Sequence, residues 1–242
     1  MSATDLETGI AANVRAVRAR VEQAASAAGR DPATVRLVAV SKTFGPEAVR
    51  AAAAAGLRDF GENKVQEGEG KVAALADLGL TWHLIGHLQS NKVRRAARSF
   101  AWIHTVDRPE LLVQLDRAAG EFGTRLDLLV QVDLAGEVTK HGASSEKIRG
   151  LLDAGRALAN VSVVGLMLLP PYFEDPEAAR LYFRRLAGLR QELLQAGVPP
   201  AQLRELSMGM SHDFEVAVQE GATMVRIGTA IFGPRPAAPS PA

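Results

Sequence analysis

The feature that most constrains this chain is a repeated alternation: a short β-branched or apolar run, a small loop, then a stretch with helical spacing. Strands are expected at 35 to 41, 58 to 62, 81 to 87, 101 to 106, 125 to 133, 161 to 168, 203 to 208 and 223 to 228. Between them Pro46 suits a helix's first turn and Gly56 its end, and "DRPE" at 107 to 110 carries the capping-box pattern before a helix expected over 108 to 119. A further helix is expected over 176 to 196, with Tyr182, Leu186, Leu189 and Leu193 on one face. Eight strand-then-helix units within 242 residues favour a closed α/β (β/α)8 TIM barrel over an open doubly wound sheet, since such barrels use about 250 residues. An Ala/Arg-rich helix over 5 to 28, with Ile10, Val14, Val17 and Val21 at helical spacing, precedes the first unit. The expected organisation is one barrel domain over residues 1 to 235 with an extra N-terminal helix, then a disordered Pro-rich tail over 236 to 242.

Charge and cysteine content remove several function classes. The 28 Lys+Arg and 27 Asp+Glu nearly cancel, so there is no electrostatic surplus to drive binding to nucleic acid or a membrane surface. Zero cysteines exclude a disulfide framework, a thiolate nucleophile and sulfur-ligated metal sites. The polar, periodic N-terminus lacks an apolar signal core, and the apolar stretch "VVGLMLLPP" is too short to span a bilayer, so a cytoplasmic protein is expected.

In a (β/α)8 barrel the chemistry sits at the C-terminal ends of the strands, and this chain concentrates its unusual residues there. The apolar run "LVAVSKTF" ends on Lys42. A lysine desolvated at a barrel mouth loses proton affinity and can condense with a carbonyl; alternatively it snorkels to the rim and pairs with a carboxylate. The loops "SMGMS" and "RIGTAIFG" after the seventh and eighth strands place glycines and hydroxyls where barrels build phosphate sites, although each alone also fits an ordinary turn with Ser211 as a helix N-cap. Asn63, in "GENKVQE", either contacts a cofactor ring or caps the next helix. His83 and His87 stand four apart on an expected strand without the glutamate of a zinc motif, so no metal site is assigned. His83, His104 and Asp133 read as interior or rim residues satisfied by hydrogen bonds.

Taken together, "VAVSKT", "FGENKVQE", "WHLIGHLQSNK", "HTVDR" and "SMGMSHDFEVAVQEGATMVRIGTAIFG" closely resemble the motifs of the pyridoxal phosphate homeostasis proteins, in the family's order and over about residues 6 to 235. The resemblance implies a barrel like the N-terminal domain of alanine racemase, carrying pyridoxal 5′-phosphate as an aldimine on Lys42. It implies that Ser207, Ser211, Gly228 and Thr229 line the phosphate, that Arg226 lies near the pyridine nitrogen, and that Asn63 and Met210 lie near the ring. One departure is Lys64, where the family often has an aromatic residue.

The function so implied is a cofactor-binding protein that holds pyridoxal 5′-phosphate for intracellular homeostasis, with little or no catalysis. Racemases of this architecture add a β-rich second domain that supplies the opposite acid/base, and an arginine beside the pyridine nitrogen weakens the ring as an electron sink. The alternatives are a small pyridoxal-phosphate-dependent racemase or lyase acting on amino acids, and an aldolase in which Lys42 attacks a sugar carbonyl. Pyridoxal-phosphate-dependent apoenzymes are the expected recipients, and a monomer is expected in preference to a dimer.

Overall fold

Short runs four to eight residues long, largely buried, form the strands of a parallel sheet here because helices cover the outside and side chains fill the inside. A computed structural model describes residues 3–134 and 142–234. Its strands are β1 (Arg36–Val40), β2 (Asp59–Glu62), β3 (Thr81–Leu84), β4 (Trp102–Val106), β5 (Leu126–Val132), β6 (Val161–Leu168), β7 (Glu205–Met210) and β8 (Met224–Ile227). Each pairs in parallel with the next, and β8 returns to β1 through Val38 opposite Arg226, which closes the barrel. The helices are α1 (Ala3–Ala27), α2 (Pro46–Ala54), α3 (Val65–Ala74), α4 (Val93–Ser99), α5 (Pro109–Phe122), α6 (Ser145–Gly155), α7 (Arg180–Gln195), α8 (Phe214–Gln219) and α9 (Thr229–Phe232). The expected (β/α)8 barrel with an N-terminal helix is the fold observed.

Two apolar layers hold it. One lies between sheet and helices, and a smaller one inside the barrel comprises Trp102, Leu129, Val164, Met167 and Met224. Helix α1 packs on α2, α8 and α9, with Ile10, Val14, Val17 and Val21 all buried. Burial of each such side chain contributes roughly 1.5–3 kcal/mol before chain entropy is counted. Asn13 Nδ2 donates to Ile231 O at 2.9 Å, and Arg20 forms a two-pronged pair with Glu215, so the extra helix is also fixed by polar contacts beside the loops after β7 and β8.

Some element boundaries differ from those expected. The third strand stops at Leu84, because the last ladder bond is Ile85 N to Glu62 O and the chain then turns at Gly86. The seventh begins two residues later than expected and runs to Met210, since residues Pro200–Gln202 wind into a 3-10 turn first. The expected helix over 176 to 196 is two pieces: a 3-10 turn, Pro176–Ala179, capped by Asp175, and then α7. "DRPE" does not form a capping box. Arg108 is the N-cap of α5 and makes no side-chain cap bond, while the Asp107 carboxylate is taken by the Arg108 guanidinium at 2.7 Å. The Pro-rich tail expected over 236 to 242 lies outside the described residues.

Candidate functional site

At the C-terminal mouth a cavity of about 390 Å³ receives Lys42, Asn63, Met210, Ser211, Arg226, Gly228 and Thr229, together with Val40, Ile85, Leu169, Tyr172 and His212. Seven of the eight residues singled out from the sequence thus meet in one space, within the range typical of cofactor pockets. A larger cavity of about 470 Å³, lined in part by Arg18, Arg36 and Asp59, opens at the opposite mouth. The smaller one is the candidate site, because it combines an amine, hydroxyls, a guanidinium and loop backbone at the end where barrels carry chemistry.

Lys42 follows β1 by two residues and is half-buried. Its turn is unusual: Thr43 has φ 72°, a left-handed conformation that costs a non-glycine residue energy. Both neighbours of Lys42 are anchored. Lys71 Nζ, from α3, donates to Ser41 O at 2.8 Å, to Glu62 Oε1 at 2.7 Å and to Glu67 Oε1 at 2.8 Å, so its three protons meet three oxygens. Glu67 Oε1 also accepts the Thr43 amide at 2.6 Å, and Ser41 Oγ donates to Glu62 Oε1 at 2.5 Å. Burial pushes the Glu62 carboxyl above its ordinary value, with the Lys71 and Ser41 hydrogen bonds opposing that shift. Glu67 is partly buried too, which acts upward, but its bonds from Lys71 and the Thr43 amide bring it below its ordinary value. The sequence reading missed this clamp. Its only signal was the i, i+4 spacing of Glu67 and Lys71, which also describes an exposed helix pair.

The loops after β7 and β8 meet at Ser211. Its Oγ accepts the Gly228 amide at 3.0 Å and the Ala230 amide at 3.3 Å, so two backbone donors converge on one point in the cavity wall. Ser211 is not the N-cap of α8; that position is Asp213, whose Oδ1 instead accepts the Met210 amide at 2.6 Å and shapes the loop. Gly209 is required here. Its φ is +91°, and an added Cβ would lie 2.6 Å from Ala217 Cβ. Thr229 is exposed at the start of α9, and Asn63 lies just beyond β2 with its carbonyl against Gly86.

Ser207 stands apart from the other seven. It is wholly buried in β7, does not line the cavity, and binds Arg226 and His104 through its hydroxyl. Arg226 reaches the cavity from β8 with one Nη donating to Ser207 Oγ at 2.6 Å and the other to Leu168 O at 2.9 Å. Burial lowers its pKa to about 10, against an upward pull from Asp213, so it stays cationic at neutral pH. His83 and His104 are interior residues satisfied by hydrogen bonds, as expected from sequence. Sequence reasoning did not find Tyr172, which lines the mouth beside His212 from the loop after β6. Among the described residues no group of three or more His, Cys, Asp or Glu side chains is arranged to hold a metal ion.

The fold and the sequence are shared with known proteins. The family described as alanine racemase, N-terminal domain, matches residues 12–236. A pyridoxal phosphate homeostasis protein of Pseudomonas aeruginosa is 49% identical over 226 residues, which cover 93% of this chain and 96% of that one. Another, from Aquifex aeolicus, is 45% identical over 216 residues, covering 89% of this chain and 94% of that one. The solved structure of PipY from Synechococcus elongatus with PLP bound superposes with a TM-score of 0.81 at 42% identity, over 93% of this chain and all of that one. By these matches and by its motifs, the chain belongs to the alanine racemase N-terminal domain family, among the pyridoxal phosphate homeostasis proteins.

Proposed function

We propose that this protein holds pyridoxal 5′-phosphate at the C-terminal mouth of its barrel and serves the homeostasis of that cofactor inside the cell, with little or no catalysis. The observation that carries the reading is the donor set of one cavity. A primary amine on the β1 loop shares the space with a guanidinium and with hydroxyl and amide donors on the β7 and β8 loops. These groups fit the cofactor's chemistry. When bound, it supplies an aldehyde that condenses with a primary amine, and Lys42 is the lysine lining the cavity among the described residues. The hydroxyls of Thr229 and of Ser211, the latter held in place by the Gly228 and Ala230 amides, are donors that can replace water lost by a phosphate dianion. Val40, Ile85 and Met210 supply apolar wall for a ring.

Arg226 bears on the absence of turnover. A cationic guanidinium only donates hydrogen bonds, so an aromatic nitrogen facing it stays unprotonated and the ring draws electrons weakly. A relative bearing the homeostasis name and a solved relative with PLP bound support the same reading. It extends to a cytoplasmic location, a monomer, and pyridoxal-phosphate-dependent apoenzymes as recipients. The test is covalent mapping: mix protein and pyridoxal 5′-phosphate, reduce with borohydride and map peptides. The pyridoxyl mass is expected on Lys42 and should be missing from Lys42→Ala; finding it on Lys64 or Lys92 instead would overturn the assignment.

A further inference from the structure

A line of hydrogen bonds crosses the barrel interior from the Lys42 mouth to the opposite one. Arg226 donates to Ser207 Oγ at 2.6 Å, and that oxygen lies 3.0 Å from His104 Nδ1. His104 Nε2 lies 3.0 Å from His83 Nδ1, and His83 Nε2 lies 2.9 Å from Asp59 Oδ1. The members come from β8, β7, β4, β3 and β2, and all but Asp59 are buried. Asp59 lines the cavity at the far mouth, 3.7 Å from Arg36.

The chemistry of the two ends gives this line a single direction. The Asp59 carboxylate only accepts, so a neutral His83 carries its one proton on Nε2 and presents a bare Nδ1 to His104. A neutral His104 then carries its proton on Nε2, and its bare Nδ1 accepts from the Ser207 hydroxyl. Ser207 Oγ in turn accepts from Arg226, whose guanidinium has no acceptor. Burial lowers the proton affinity of both imidazoles, which agrees with one proton on each. Any other placement of one proton on each ring leaves two lone pairs or two protons facing each other somewhere in a buried line, where an unmatched polar group is costly.

We propose that His104 and His83 are positioning residues for Arg226, acting through Ser207 so that the one-way line fixes where the guanidinium points in the cofactor cavity. The effect on cofactor binding rests on the function proposed above; the line itself does not. Two measurements test it. Long-range 1H–15N NMR of the unliganded wild-type protein should find both histidines protonated on Nε2, and an Nδ1–H tautomer at either would overturn the proposal. The second measurement is titration with pyridoxal 5′-phosphate. In His104→Asn the amide oxygen takes the place of Nδ1 and still accepts from Ser207. In His104→Gln the amide nitrogen takes the place of Nε2 and leaves Ser207 without an acceptor. His104→Gln should bind about tenfold more weakly than wild type and His104→Asn within about threefold, and adding Ser207→Ala to His104→Gln should cost nothing further beyond Ser207→Ala alone. Equal weakening in both histidine variants, or additive losses, would mean that His104 only fills space, and would sink the positioning role. If wild type binds no pyridoxal 5′-phosphate, the functional reading fails while the tautomer measurement still decides the line.

Discussion

The backbone amide of Thr43 donates to Glu67 Oε1 at 2.6 Å, and through that oxygen the turn carrying Lys42 is tied to helix α3. The same oxygen accepts from Lys71, which also holds the Ser41 carbonyl, so the chain is gripped on both sides of Lys42. A left-handed Thr43 persists only where its surroundings over-determine it, and this clamp does so. The strand end is thereby held in one conformation while its side chain faces the cavity.

The clamp makes a stability prediction. Lys71 and Glu62 are both buried, and Lys71→Met strands the Glu62 carboxylate without its cation. Removing one partner of a buried pair typically costs about 3–5 kcal/mol. Lys71→Met should therefore shift the urea midpoint strongly downward, and Lys71→Met/Glu62→Gln should recover a good part of it. An unchanged midpoint in the single variant would show that the pair is not coupled to folding. Glu67→Ala is expected to leave the midpoint nearly alone yet weaken pyridoxal 5′-phosphate binding about tenfold, since it frees the Thr43 amide.

How far the sequence reached is clear from particular residues. The barrel was legible because its strands read as separate apolar runs, and residues just past strand ends must share the mouth; hence Lys42, Asn63, Ser211 and Thr229 come together. Ser207 falls within the strand expected over 203 to 208, yet the resemblance sets it beside the phosphate together with Ser211. As part of β7 it is buried below the mouth, whereas Ser211 lies beyond the strand's end. Lys71 was missed for a different reason. A lysine among glutamates and glycines on a helix looks solvated, and only the tertiary fold turns it inward beneath β1 and β2. "DRPE" matched a capping box by residue type, but a neighbouring arginine took the carboxylate that would have capped.

The buried histidines predict a pH dependence. Both have proton affinities lowered by burial, and His104 falls well below the ordinary value. In the unfolded chain they titrate near pH ~6.5, so below that the unfolded state binds more protons and stability falls as pH falls. Each contributes a slope of up to about 1.4 kcal/mol per pH unit until its folded-state value is reached. Glu62 and Asp213, raised by burial, act in the opposite sense at lower pH, favouring the fold as acid is added. Subtracting a His104→Asn curve from that of wild type isolates the histidine. Urea unfolding between about pH 5 and 7.5 should show a shallower acid loss in the variant; parallel curves would contradict a buried neutral His104.

Turnover is the next test. With a cationic Arg226 lining the cavity, amino acids should react with the loaded protein without being released as products at enzymatic rates. Racemisation of alanine, followed by chiral chromatography, is expected far below about 1 per second. A rate at or above that value would mean a racemase rather than a holding protein.

The last prediction separates the phosphate end from the amine end. Thr229 lines the cavity beside the Gly228 and Ala230 amides, whose convergence on Ser211 Oγ shows that they already point to one place. A phosphate near neutral pH carries nearly two charges, and a hydrogen bond to a charged oxygen is worth about 1.5–3 kcal/mol. Thr229→Val keeps the shape of the side chain and removes its donor, so pyridoxal 5′-phosphate should bind about tenfold to a hundredfold more weakly. Pyridoxal has the aldehyde but no phosphate, and it should bind wild type and Thr229→Val about equally, because Lys42 and its clamp are untouched by the change. Titrating both proteins with both aldehydes, and following the visible absorption band, makes the comparison within one experiment. If Thr229→Val impairs pyridoxal as severely as its phosphate, the loop after β8 shapes the whole cavity, and the assignment of Thr229 to the phosphate fails.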